Sequence, residues 1–323
     1  MISWTTTYGN KKAVKAFLPE LARWLEAHDY PFEFTTEASI NLADDRELLE
    51  LLQRANFVGV FVGIESPDTA TLIAMRKKQN TRRSIAQSVR TIYAYGLFVT
   101  VGFIIGFDSE TGSAADAMVD LIEEAAIPVC MVGLLYALPN TQLARRLEKE
   151  GRLFPHPERK DLKTADQCTM GLNFKTLRPR REVLADYAHI LERIYDPAAY
   201  AGRLQRLAKM LDNSGRSQQT RAAHSRRSRG SLEMLHRIMT NLPEPREVFR
   251  STLSQCMPDN PDSVRWVVAL MALYLHVGPF SRVVIARIDN IIATLQPLAV
   301  EGGAHEVELL SAYGRRDEEA ARP

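Results

Sequence analysis

Cysteine is scarce in this chain: 323 residues carry three, Cys130, Cys168 and Cys256. They are widely spaced and form no CxxC pair. That excludes a disulfide framework and the sequence-local zinc and cluster motifs. Each reads as a small buried hydrophobe in a reducing, cytoplasmic setting. Charge of one sign is also lacking. Lys and Arg number 41 against 39 Asp and Glu, a formal net charge of +2. The global balance therefore points to neither a nucleic-acid nor a membrane partner. The chain opens on no basic-then-apolar leader. Its longest apolar run, Trp266 to Val277, falls short of the ~20 residues of a spanning helix and reads as a buried helix. GxSxG, HExxH and glycine-rich phosphate loops are absent, so no common nucleophile–base or phosphate motif is on offer.

What remains is an ordinary globular composition, 46% hydrophobic and 25% charged, with length enough for a full core. The first half alternates helix and strand signals. Val14, Phe17, Leu18, Leu21 and Leu25 recur at helical spacing over 11–28. Strands are expected at 31–36, 57–64, 98–106 and 128–136, and helices at 47–56, 69–75, 81–95, 113–125 and 140–150. Asp44 or Asp45 caps the helix at 47–56, and Gly96 and Gly151 close two others. One helix followed by four strand–helix units argues for a parallel sheet, open or barrel-shaped, whose ligands gather at the carboxyl ends of the strands. The expected fold class is α/β: a partial parallel, TIM-like barrel over 1–152, an irregular linker over 153–180, an all-α region over 181–300 and a tail over 301–323. Residues 213–230 carry Arg216, Arg221, Arg226, Arg227 and Arg229 with no acid or aromatic between them. They read as a solvated loop rather than a nucleic-acid patch.

Three strand ends hold the candidate site. Glu37 ends the first expected strand. Glu65 and Ser66 end the second, where a carboxylate suits the paired hydroxyls of a ribose or else an ion pair with Lys77 or Lys78. Gly102, Ile104 and Gly106 lie along the third, where glycines mark close backbone approach and Ile104 offers a flat apolar seat. Arg76-Lys77-Lys78 follows the next short helix, placed to meet a carboxylate or phosphate.

Three segments together, GVFVGIESPDTATLIAMRKKQNT at 59–81, VGFIIGFDSETG at 101–112 and VGLLYALPNTQLARRLEKEGRL at 132–153, resemble the radical S-adenosylmethionine (SAM) superfamily. The likeness is to the class with a cobalamin-binding domain and a helical C-terminal extension, and it covers roughly residues 9 to 300. It implies a radical SAM barrel, SAM and a [4Fe–4S] cluster as cofactors, and cobalamin in the full-length class. The family chemistry it implies is 5′-deoxyadenosyl radical generation, with methyl transfer to an unactivated carbon or phosphorus. By position it implies that Glu37, Glu65 and Ser66 contact SAM, with Glu65 on the ribose, and that Lys77 lies near the methionine carboxylate. It further implies that Gly102, Ile104 and Gly106 pass under the adenine and that Leu135 and Tyr136 edge it. Where the family pattern tends to place a glutamate, this chain has Ser109, with Glu110 one later.

The sequence departs from that family in lacking any CxxxCxxC, so the cluster ligands are not in this chain, and it assigns no catalytic residue and no metal ligand. The expectation is a protein inactive alone. The other readings are a complementing subunit whose partner chain carries the missing front part, and a non-enzymatic scaffold. The stretch Met1–Thr7 can be encoded so that another frame reads Asp-Phe-Val-Asp-Asp-Asn, as relatives read before Gly-Asn-Lys-Lys, so the opening is expected to be an out-of-frame remnant of a longer gene. The substrate is expected to be a small molecule that the sequence does not name.

Overall fold

The computed structural model describes residues 11–75, 77, 84–154, 171–222, 224, 233 and 243–295. The expected tail, Cys168, Arg76, Lys78 and Arg226 to Arg229 fall outside them.

Four strands, β1 (Phe34–Ala38), β2 (Phe57–Glu65), β3 (Phe98–Ile105) and β4 (Val129–Leu134), form one all-parallel sheet in the order β1-β2-β3-β4. Helix α1 (Lys11–Ala27) precedes them. The crossovers contain α2 (Arg46–Arg54), α3 (Thr69–Ala74), α4 (Ile85–Tyr93) and α5 (Ala115–Glu124), and α6 (Gln142–Lys149) follows β4. Local chemistry sets their starts. Asp45, Asp68, Ser84 and Thr141 each accept a first-turn amide, of Leu48, Thr71, Gln87 and Ala144. Gly96 and Gly151 take the positive φ that ends α4 and α6.

Side-chain alternation divides the sheet into unequal faces. Val58, Val60, Val62 and Ile64 of β2, with their β3 and β4 counterparts, are all buried, beneath α2, α4 and α7. The opposite face is only partly covered. Register lays it out in rows: Thr35–Gly59–Phe98, then Glu37–Phe61–Thr100–Val129, then Gly63–Gly102–Met131, then Ile104–Gly133. Parallel sheets are normally covered on both sides, and here Met131 is 65% exposed in the middle of a strand. The sheet does not close into a barrel among the described residues, so the architecture is α/β with a four-stranded parallel sheet and a helical C-terminal region.

That region comprises α7 (Arg180–Ile194), α8 (Pro197–Met210), α9 (Pro243–Asp259) and α10 (Val264–Thr294). Asp196 and Pro197 start α8 by side-chain capping and a pre-set φ. Two tyrosine hydroxyls of this region donate to β4 carbonyls, Tyr195 to Cys130 (2.7 Å) and Tyr187 to Val132 (3.2 Å). The apolar run Trp266–Val277 lies inside a 31-residue α10 that continues past Pro279. By length and composition this helix could cross a bilayer, but its inner side is packed in protein.

The solvated reading of 213–230 holds for Arg221, which is exposed, and is overturned at Arg216. Arg216 is 3% exposed. Its guanidinium donates to the carbonyls of Phe57 (2.6 Å), Gly96 (3.0 Å) and Gln53 (3.2 Å) and to Asn56 Oδ1 (3.3 Å). These acceptors cluster where α2 and α4 end, and helix ends leave carbonyls without intrahelical partners. A five-donor cation satisfies several at once, which explains why a basic residue is buried here. Burial lowers its pKa to about 10, so it remains charged at neutral pH.

Candidate ligand site at the strand ends

Glu37 lies inside β1, not beyond it, because the strand runs to Ala38. It sits opposite Phe61 on the open face, half-buried. Glu65 is the last residue of β2 and takes φ +73, a left-handed conformation that costs a non-glycine residue about 1–2 kcal/mol. The β2–β3 register shifts between Gly63 and Glu65. This irregularity turns the carboxylate back along its own strand, where a Cβ on Gly63 would lie 2.6 Å from Oε1. Glu65 thus needs Gly63. Lys77 Nζ donates to the same Oε1 at 2.9 Å. The pairing of Glu65 with Lys77 that the sequence offered as a structural role is therefore present, and it also sets a cation and an anion side by side at the mouth of the open face.

Ser66 is 1% exposed, and its hydroxyl accepts the Asp68 amide at 3.1 Å. It serves the turn into α3. Gly102 and Gly106 also have protein reasons. A Cβ on Gly102 would meet the Phe61 ring at 3.0 Å, and one on Gly106 would meet Leu172 at 2.5 Å; Gly106 also has φ +97. Ile104 stands half-exposed on the open face beside Gly133, whose missing side chain leaves empty space. Leu135 is tied through its amide to Ile105 and through its carbonyl to the Leu172 amide (2.9 and 2.7 Å). Tyr136 is half-buried, and burial raises its hydroxyl pKa. The structure thus brings Glu37, Glu65, Lys77, Gly102 and Ile104 to one face and turns Ser66 away into a turn.

The other acids near this edge are committed. Glu110 is 6% exposed and accepts the Gly106 amide through both oxygens at 3.1 Å, with Arg178 at 3.6 Å. Burial raises its carboxyl pKa. Ser109 donates to Thr71 Oγ1. Asp108 holds Arg152 (2.5 Å) and Arg146 (2.8 Å), and Arg152 foremost lowers its pKa. Phe61, Thr100 and Met131 were not singled out from sequence. Their signal was parity: in FVGVFVGIE, Phe61 shares the odd face with Gly63 and Glu65.

Among the described residues no three His, Cys, Asp or Glu side chains converge as a metal site. Cys130 and Cys256 are buried, and desolvation pushes the Cys130 thiol up to about 12. These residues do not fit an iron–sulfur cluster. A half-apolar face with two carboxylates and a lysine does fit a nucleoside-bearing zwitterion.

The fold defines a parallel α/β protein with one partly covered sheet face and a helical C-terminal region. Comparison with known proteins is more particular. Residues 141–290 match the family described as a domain of unknown function, DUF4070. Over 195 residues, 60% of this chain, the sequence is 44% identical to an uncharacterized methyltransferase of Synechocystis sp. (strain ATCC 27184 / PCC 6803 / Kazusa). Over the same length it is 36% identical to the hopanoid C-2 methylase of Rhodopseudomonas palustris (strain TIE-1). The match covers 35% of each of those proteins, so the chain spans about a third of their length. The similarity is thus to a part of proteins named as a methyltransferase and a methylase.

Proposed function

We propose that this chain supplies the SAM-facing sheet and the helical extension of a radical SAM methylase of the cobalamin-bearing class. The observation that carries the reading is Glu65: a strained, bulged strand end that holds a carboxylate beside Lys77, on the open face of a parallel sheet. Strain of this kind concentrates at functional sites. Glu65 accepts the ribose hydroxyls, with Glu37 as the second acid on the face. Lys77 shifts from Glu65 toward the carboxylate of the methionine part. Ile104 seats the adenine over Gly102, with Gly106, Leu135 and Tyr136 at its border. When bound, SAM supplies the transferable one-carbon group. The sequence has no CxxxCxxC and the described residues gather no cluster ligands, so in this reading the cluster and the cobalamin are held by other polypeptide, on the same or a second chain. By itself the chain is catalytically silent.

Saturation-transfer NMR of SAM against the full chain tests this. The expected result is transfer to the ribose and adenine protons, strongly reduced by Glu65→Gln and less so by Glu37→Gln. No transfer, or transfer indifferent to both substitutions, overturns the reading.

A further inference from the structure

Gly59, Gly63, Gly102 and Gly133 lie along the partly covered face of the sheet. For three of them a neighbour fills the room of the missing side chain. A Cβ on Gly59 would lie 2.8 Å from the Phe98 ring, one on Gly63 2.6 Å from the Glu65 carboxylate, and one on Gly102 3.0 Å from the Phe61 ring. Gly133 differs. A Cβ there would meet no atom of the described residues within 4 Å, and its φ is not positive. Neither packing nor backbone conformation asks for a glycine at this position. A glycine inside a strand weakens it, and close approach of a ligand is the remaining reason to have one.

The surroundings of Gly133 say what that ligand is like. Ile104 stands directly across from it on β3. Met131, 65% exposed, and Leu135 flank it along its own chain, their Cα atoms about 13 Å apart at strand rise. Leu135 shares the face, since its Cβ lies 3.8 Å from where a Cβ on Gly106 would stand. The slot therefore has three apolar walls and a bare backbone floor. Strand amides and carbonyls lie in the plane of the sheet and bond the neighbouring strands, so the slot presents no charge, donor or acceptor. Adenine can lie flat on Ile104 with its polar edge at the strand ends, but inside the slot that edge would be desolvated without partners. The charged methionine part of SAM is excluded more strongly for the same reason. A ring or branched chain of hydrocarbon loses nothing there, and Met131 can adapt its flexible side chain to it.

We infer that Gly133 is a specificity-determining residue: the room it leaves between Ile104, Met131 and Leu135 takes an uncharged hydrocarbon group of the methyl acceptor. That the group belongs to the acceptor rests on the methylase reading, whereas the apolar slot rests on the geometry alone.

The test uses the full chain and N-phenyl-1-naphthylamine, an uncharged apolar probe that brightens on leaving water, with saturation transfer to SAM measured on the same proteins. The wild-type chain is expected to bind the probe. Gly133→Leu, which fills the slot, should weaken probe binding at least about tenfold, and Gly133→Ala should weaken it less. Both variants should keep the transfer to SAM. Gly133→Ala should also melt at or above the wild-type temperature, because the added methyl has room and the unfolded chain loses freedom. Probe binding that is absent from wild type, or that Gly133→Leu leaves unchanged, overturns the proposal. So does a lowered melting temperature in Gly133→Ala, which would mean that protein fills the slot. Loss of SAM transfer together with probe binding in Gly133→Leu overturns it too, by giving the slot to SAM. If wild type shows no transfer to SAM while probe binding still depends on Gly133, the methylase reading fails and the apolar slot stands.

Discussion

Glu65 and Asp108 sit at neighbouring strand ends and do opposite things with a carboxylate. Glu65 is held in a left-handed backbone and pairs with Lys77. Asp108 takes a forked contact from Arg152 and a second from Arg146, an arrangement that binds α6 and the chain after it to the end of β3. Its pKa lies below the ordinary carboxylate value because Arg152 donates to its charged form. The folded state therefore holds this proton less tightly than the unfolded chain. The stabilisation is present above about pH 4 and is lost as pH falls through the folded value. Asp108→Asn should lose about 1–3 kcal/mol at pH 7, and its stability should depend less on pH in the acid limb. Denaturant titrations at pH 7 and pH 3 check both statements.

Among elements, the joints are made by polar side chains reaching across apolar layers. Tyr187 and Tyr195 occupy carbonyls of β4, which blunts an edge strand that would otherwise present free acceptors. Arg216 does the same for the ends of α2 and α4. Arg216→Met keeps much of the buried volume and removes every donor, leaving several buried carbonyls unsatisfied. The expected loss is more than about 3 kcal/mol, read by denaturant unfolding. A loss below about 1 kcal/mol would mean that water or a neighbouring donor replaces the guanidinium.

At the scale of the molecule, one face of the parallel sheet lies under helices and the other is open. The open face concentrates Glu37, Phe61, Ile104 and Met131 around three glycines, Gly63, Gly102 and Gly133. No group of cysteines accompanies it. Incubation with ferrous iron, sulfide and reductant should therefore leave the desalted chain without bound iron or cluster absorbance, and the buried Cys130 thiol should resist alkylation at pH 8 until the fold is opened. Stoichiometric iron retained by the folded chain would refute this.

The order of elements, their caps, the two parities of each strand and the acids at strand ends are written in the sequence, because caps and alternation act over a few residues. FVGVFVGIE declares both a buried face and the position of Glu65 without help from the rest of the chain. The partner of each polar group was decided in three dimensions. Glu65, Asp108 and Glu110 look alike as acids after strands, yet one meets Lys77, one is locked by Arg152 and one is buried against the Gly106 amide. Gly106 answers to Leu172, and Arg216, which composition assigned to a solvated loop, answers to carbonyls 120 and 159 residues away. Such contacts depend on which buried donors must be satisfied once the layers have packed, and no local pattern encodes that.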